Sequence, residues 1–170
     1  MGLGKTERLI ELTDQVPDGR KLILGLGKVG SNHNVFTKTI SSRNGRTILC
    51  SNVSLAQKML AEIPNTLTDV FIDEGQWAYP QRIRNAKRLS DRGLNFYISL
   101  LDRTYTGEHY NTFLAWKAVA DSVEVCTAVC AVTGGVAEYS ELLTDTESVR
   151  KEDYRAVCWE VFKQSKHCRI

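Results

Sequence analysis

Apolar residues along this chain fall into short groups separated by polar turns, and the spacing within each group predicts its element. Leu9, Leu12 and Val16 recur at helical intervals, and Pro17-Asp18-Gly19 ends that segment. Residues 21–26 form a compact apolar run that predicts a buried strand. The polar, glycine-rich and asparagine-rich stretch 27–46 has no clean period and predicts a long loop. Residues 47–50 predict a second short strand, and Ser54 caps a predicted helix carrying Leu55, Met59, Leu60 and Ile63. Residues 70–73 predict the next strand. Ile83, Ala86 and Leu89 predict a helix that ends near Gly93, and two further strands follow over 95–101 and 123–129.

Short apolar strands alternating with amphipathic helices predict an α/β fold: a parallel sheet covered by helices on both faces. From Cys126 onward the pattern breaks into short β-like pieces and turns. The chain therefore divides into a core over residues 1–125 and a small module over 126–170. A length of 170 residues is enough to bury a real core. The net charge of +2 comes without any basic run, which argues against sequence-independent nucleic-acid binding. No apolar stretch is long enough to span a membrane, and the N-terminus lacks the apolar centre of a signal peptide. Five cysteines in no regular framework suit a reducing cytoplasm.

Two motifs carry the candidate chemistry. Met1-Gly2-Leu3-Gly4-Lys5-Thr6 reads as the end of a phosphate-binding loop: glycines let backbone N–H groups approach phosphate, Lys5 adds charge, and Thr6 offers a hydroxyl to magnesium. In Val70-Phe71-Ile72-Asp73-Glu74-Gly75-Gln76-Trp77 an apolar run ends in adjacent carboxylates. Neighbours at a strand end point to opposite sides, so Asp73 is expected to serve a magnesium shell while Glu74 faces a substrate hydroxyl. Together the motifs point to phosphoryl transfer. Trp77, Tyr105, Tyr110 and Tyr154 lie in or near turns and fit either a nucleobase pocket or core packing.

Other patterns carry less. Gly25-Leu26-Gly27-Lys28-Val29-Gly30 matches a dinucleotide fingerprint, but neither an amphipathic helix nor an acid about 20 residues further on accompanies it. Cys126, Cys130, Cys158, His167 and Cys168 include metal-binding residue types. Their spacing does not supply the two close pairs of a structural zinc site, so idle thiols are expected. A helicase-type motor also uses Gly-Lys-Thr and Asp-Glu, but it needs a second, arginine-bearing domain that this chain is too short to hold.

With these residues in place, the chain resembles the thymidine kinases of the zinc-containing, tetrameric type. Met1 to Thr6 is similar to the family's Gly-Pro-Met-x-x-Gly-Lys-Thr loop, and by this match the chain lacks the family's first strand and its leading Gly-Pro. Ile72-Asp73-Glu74-Gly75-Gln76-Trp77 resembles Ile-Asp-Glu-(Ala/Gly)-Gln-Phe. Leu101-Asp102-Arg103-Thr104-Tyr105-Thr106-Gly107-Glu108-His109-Tyr110 resembles Leu-Asp-x-Asp-Phe-x-Gly-x-Pro-Phe. Ala120-Asp121-Ser122-Val123, with Thr127-Ala128-Val129-Cys130, resembles the stretch leading to the first zinc cysteine, and Tyr154-Arg155-Ala156-Val157-Cys158 resembles the end of the substrate-covering lasso.

The resemblance implies a P-loop core with a C-terminal lasso and degenerate zinc knuckle. It implies transfer of the ATP γ-phosphate to the 5′-hydroxyl of thymidine, serving deoxynucleoside salvage for DNA synthesis. It assigns phosphate binding to Gly2, Gly4, Lys5 and Thr6, magnesium to Thr6 and Asp73, and general-base catalysis to Glu74. It gives the nucleoside pocket to Met1, Trp77, Leu101, Tyr105, Tyr110, Ser140 and Tyr154, and it implies a homotetramer. The family's Asp-x-Arg has no match within residues 28–34, and Ser148-Val149-Arg150 stands where the lasso has Ile-Gly-Gly. Only Cys130 and Cys158 remain of the knuckles, with Thr133 and Val161 in their partners' places, which predicts loss of zinc. These departures leave a catalytically impaired, nucleotide-binding pseudoenzyme as the alternative.

Overall fold

The computed structural model describes residues 4–29, 32–42, 44–51, 66–144 and 153–170. Helix α1 (Lys5–Asp14) follows Gly4, whose φ of 109° only glycine adopts freely, and buries Leu9, Ile10 and Thr13. Strand β1 (Lys21–Val29) then runs parallel to β5 (Asp69–Asp73), pairing Lys21 with Asp69 through Gly25 with Asp73. Strand β6 (Asn95–Ile98) continues the parallel sheet, with Phe71 beside Tyr97 and Ile72 beside Ile98. Between β5 and β6 lies helix α2 (Pro80–Ser90), which buries Ile83, Ala86 and Leu89. Pro80 starts it at a position needing no N–H donor, and Gly93 at φ 96° follows its end.

The main sheet has the order β2-β1-β5-β6, where β2 (Asn32–Thr37) pairs antiparallel with β1. This corrects the long loop expected over residues 27–46. The stretch instead holds the end of β1, then β2, then β3 (Thr39–Ser41), which pairs antiparallel with β4 (Thr47–Leu49). These strands are specified by backbone ladders, which polar residues make as well as apolar ones, so the hydrophobic pattern did not reveal them. The strand expected over 123–129 is also corrected. Only β7 (Ala128–Val129) forms, pairing with β8 (Val136–Ala137) outside the main sheet. Val123 and Val125 are exposed, so this valine-rich stretch has no apolar surface to cover it. The helix expected after Ser54 lies outside the described residues.

Both faces of the sheet are covered. Leu22, Leu24, Val70 and Ile72 pack on one face with Ile83 and Ala86 of α2 and Trp116 of helix α3 (Asn111–Lys117). On the other face Ile23 and Phe71 pack with Leu9 of α1 and Ile40 of β3. A third cluster joins Cys130, just after β7, with Ala137 of β8, Val157 of strand β10 (Tyr154–Val157) and Phe162 of helix α4 (Trp159–Phe162). Strand β10 pairs antiparallel with β9 (Tyr139–Leu142). Among the described residues, no helix is long and apolar enough to cross a membrane.

Candidate active site

Thr6, expected to belong to a phosphate loop, meets Asp73 at the carboxyl end of β5. Thr6 Oγ1 donates to the Asp73 carboxylate, 3.3 Å from Oδ2 and 3.4 Å from Oδ1. Asp73 is buried at the end of β5, and the backbone N–H of Arg8 donates to Gly4 O at 2.6 Å, closing the first turn of α1. A hydroxyl and a carboxylate converging on one point are hard oxygen donors of the kind magnesium takes, so the residues present fit that ion. Met1 and Gly2 lie outside the described residues.

The next residue changes direction. Glu74 has φ 57°, the one left-handed non-glycine backbone among the described residues. Its Oε2 accepts from Gln76 Nε2 at 2.5 Å. Gln76 is itself buried, and its Oε1 accepts the Leu101 N–H at 3.1 Å. Two further bonds hold this turn from α3: Thr112 Oγ1 donates to Gln76 O at 2.9 Å, and Trp116 Nε1 to Gly75 O at 3.1 Å. Gln76, Thr112 and Trp116 thus orient the carboxylate, although the sequence reading gave them no role. For Gln76 the available signal was an amide two residues after an acid pair, whereas nothing local marked Thr112 or Trp116.

Aromatic side chains gather near this turn. Trp77 meets Tyr110 edge-on, with ring centroids 5.9 Å apart, and Tyr105 lies 6.3 Å from Tyr154. Burial, more than any neighbouring charge, pushes the Tyr110 phenol up to about 12, with Tyr154, Glu74 and Tyr105 adding to the shift. These four groups therefore share one environment. Leu101 and Ser140 line a separate cavity of about 190 Å³ that also contains Lys5, Asp102 and Cys126, but neither Asp73 nor Glu74. The residues expected to form one nucleoside pocket are thus divided between a ring cluster and a cavity beside Lys5, linked by the Leu101 bond to Gln76.

The remaining thiols occupy several places. The Thr133 hydroxyl, ahead of the backbone groups of Thr133, Cys158 and Val132, pulls the buried Cys130 thiol down to about 6. Thr133 Oγ1 also lies 3.6 Å from Cys158 Sγ. Cys168 packs against the cluster around Cys130, and His167 meets the Tyr105 ring edge-on at 5.5 Å. Among the described residues, no three His, Cys, Asp or Glu side chains gather as a metal-binding group.

The sequence matches the thymidine kinase family over residues 1–162. It is 26% identical over 153 residues to a thymidine kinase of Onion yellows phytoplasma, covering 90% of this chain and 73% of that protein. Against a thymidine kinase of Deinococcus radiodurans it is 25% identical over 160 residues, covering 88% and 75% respectively. A 78-residue stretch is 38% identical to a thymidine kinase of Bdellovibrio bacteriovorus, covering 46% of this chain and 38% of that one.

Proposed function

The chain belongs to the thymidine kinase family, and on that premise we propose that it transfers the ATP γ-phosphoryl group to the 5′-hydroxyl of thymidine. The observation that carries this reading is the contact of Thr6 with Asp73, next to a Glu74 carboxylate that Gln76 holds on a left-handed turn. A hydroxyl suited to phosphate and magnesium and a carboxylate suited to accept a proton are then neighbours at one strand end.

In this reading Gly2, Gly4 and Lys5 cradle the phosphates, and Thr6 and Asp73 hold magnesium. An ion held there would neutralise charge on the phosphate oxygens. Glu74, held by Gln76, accepts the 5′-hydroxyl proton as the O5′–Pγ bond forms and the bond from Pγ to the β–γ bridging oxygen breaks. Trp77, Tyr105, Tyr110 and Tyr154 enclose the base, with Met1, Leu101 and Ser140 completing its surroundings. Residues 126–170 act as the module that covers the nucleoside, and the chain works as a homotetramer, as the resemblance implies, in the reducing cytoplasm that its five cysteines suit. Zinc has no part in this reading: a hydroxyl and a valine stand at Thr133 and Val161.

The test is transfer of labelled γ-phosphate from ATP to thymidine by the purified chain. Glu74→Gln is expected to lower transfer by roughly 10²- to 10⁴-fold. Full activity in the mutant would remove Glu74 from the mechanism. A folded wild-type chain that binds ATP but transfers nothing would instead support the pseudoenzyme.

A further inference from the structure

Ser99 has no role in the reaction as described, yet it stands at the same strand ends. Its N–H donates to Ile72 O and its carbonyl accepts the Gly75 N–H, both at 2.8 Å. These bonds carry the parallel register of β5 and β6 one step beyond Ile72 and Ile98, so Ser99 stands beside Asp73. Phe71 and Tyr97, two residues earlier on each strand, stack at 4.7 Å on the face that α1 covers. By strand alternation Asp73 and Ser99 face the same way, and Thr6 of α1 reaches Asp73 on that face. Ser99 is 7% exposed, and its hydroxyl is buried with no hydrogen-bond partner among the described residues. Gly75 fixes its position further: a Cβ there would lie 2.5 Å from Ile98 Cγ2, so the turn and the end of β6 are pressed together.

A buried hydroxyl without a partner is a donor awaiting one. We infer that the Ser99 hydroxyl donates a hydrogen bond to a terminal oxygen of the γ-phosphoryl group of bound nucleotide, making it a further phosphate-binding residue of this site. The inference rests on the phosphoryl-transfer reading and adds to it. Backbone bonds on both sides of Ser99 hold the donor in place before the nucleotide arrives, the arrangement in which such donors are most effective. A γ-specific contact predicts discrimination between triphosphate and diphosphate.

The experiment is calorimetric titration of wild type and Ser99→Ala with Mg·ATP and with Mg·ADP, without nucleoside, alongside thermal unfolding of the ligand-free proteins. The expected result is roughly tenfold weaker Mg·ATP binding by Ser99→Ala, since the lost bond is to a charged oxygen. Mg·ADP binding should be unchanged, and the ligand-free variant should unfold no earlier than wild type. Wild type that binds both nucleotides, with Ser99→Ala binding them equally well, overturns this inference alone. Equal weakening for both nucleotides, or earlier unfolding of the ligand-free variant, assigns the hydroxyl a structural role and also overturns it. Wild type that binds neither nucleotide overturns the phosphoryl-transfer reading as well.

Discussion

Glu74 carries both strain and the proposed chemistry. A side chain at φ 57° crowds its own backbone, and the turn keeps that conformation because Gln76, Thr112 and Trp116 fix it from outside. Glu74→Gly should therefore raise unfolding free energy by about 1 kcal/mol while abolishing transfer, read by denaturant titration beside the kinase assay. A variant no more stable than its parent would show an unstrained turn. A second residue-scale expectation concerns Cys130. A depressed thiol pKa means that the folded chain binds fewer protons than the unfolded one between about 6 and the ordinary value of 9.0. Its contribution to stability is thus fully present above that ordinary value and is lost as pH falls through about 6. Thr133→Ala removes the leading cause, so thiolate absorbance should titrate at a higher midpoint than in wild type. Asp73 and Glu74 were legible because an apolar run ending in acids marks a strand end. The turn that separates their directions was not, because it depends on Thr112 and Trp116, far along the chain.

At the scale of elements, the β3–β4 hairpin shows which forces attach a polar segment to the core. Arg46 pairs with Glu7 and Asp14 of α1, while Ile40 enters the cluster with Leu9, Ile23 and Phe71. The arginine is 44% exposed, and such pairs contribute little in water. Arg46→Ala is expected to leave stability close to wild type, whereas Ile40→Ala should cost about 2–5 kcal/mol, both measured by urea unfolding. The reverse order would make the ion pairs the main attachment. Elements with an apolar face were legible in the sequence, and those held mainly by backbone ladders were not. Ile83, Ala86 and Leu89 announced α2 because one face must be apolar to meet the sheet. Strand β2 gave no such signal, since its pairing with β1 is a ladder of backbone groups. Val123 and Val125 gave a misleading one, because β-forming residues make no strand without a neighbour to pair with.

For the whole molecule, the decisive join is between the sheet and the C-terminal cluster, and it runs through the loop that carries Tyr105 and Tyr110. Arg103 Nη1 donates to Gly107 O at 2.9 Å, and its guanidinium lies over the Tyr139 ring at 5.2 Å. The Arg169 N–H donates to Thr106 O at 3.0 Å. Gly107 has φ 91°, and a Cβ there would lie 2.8 Å from Ile170 Cδ1 and 2.9 Å from Phe162 Cε1. The tyrosines are thus aimed by a loop wedged against the end of the chain, a relation that neither helical nor strand periodicity encodes. Residues 163–170, beyond the part that matches the family, supply some of that wedge. Gly107→Val should push the C-terminal segment off this loop without disturbing Thr6 and Asp73. Mg·ATP affinity is then expected to stay near wild type, while KM for thymidine rises about tenfold, the effect of roughly 1.4 kcal/mol of lost positioning. Limited proteolysis should cut first within 126–170. Losing both affinities together would mean that the loop and the phosphate end form one cooperative unit, whereas no change in KM would separate the tyrosines from nucleoside binding.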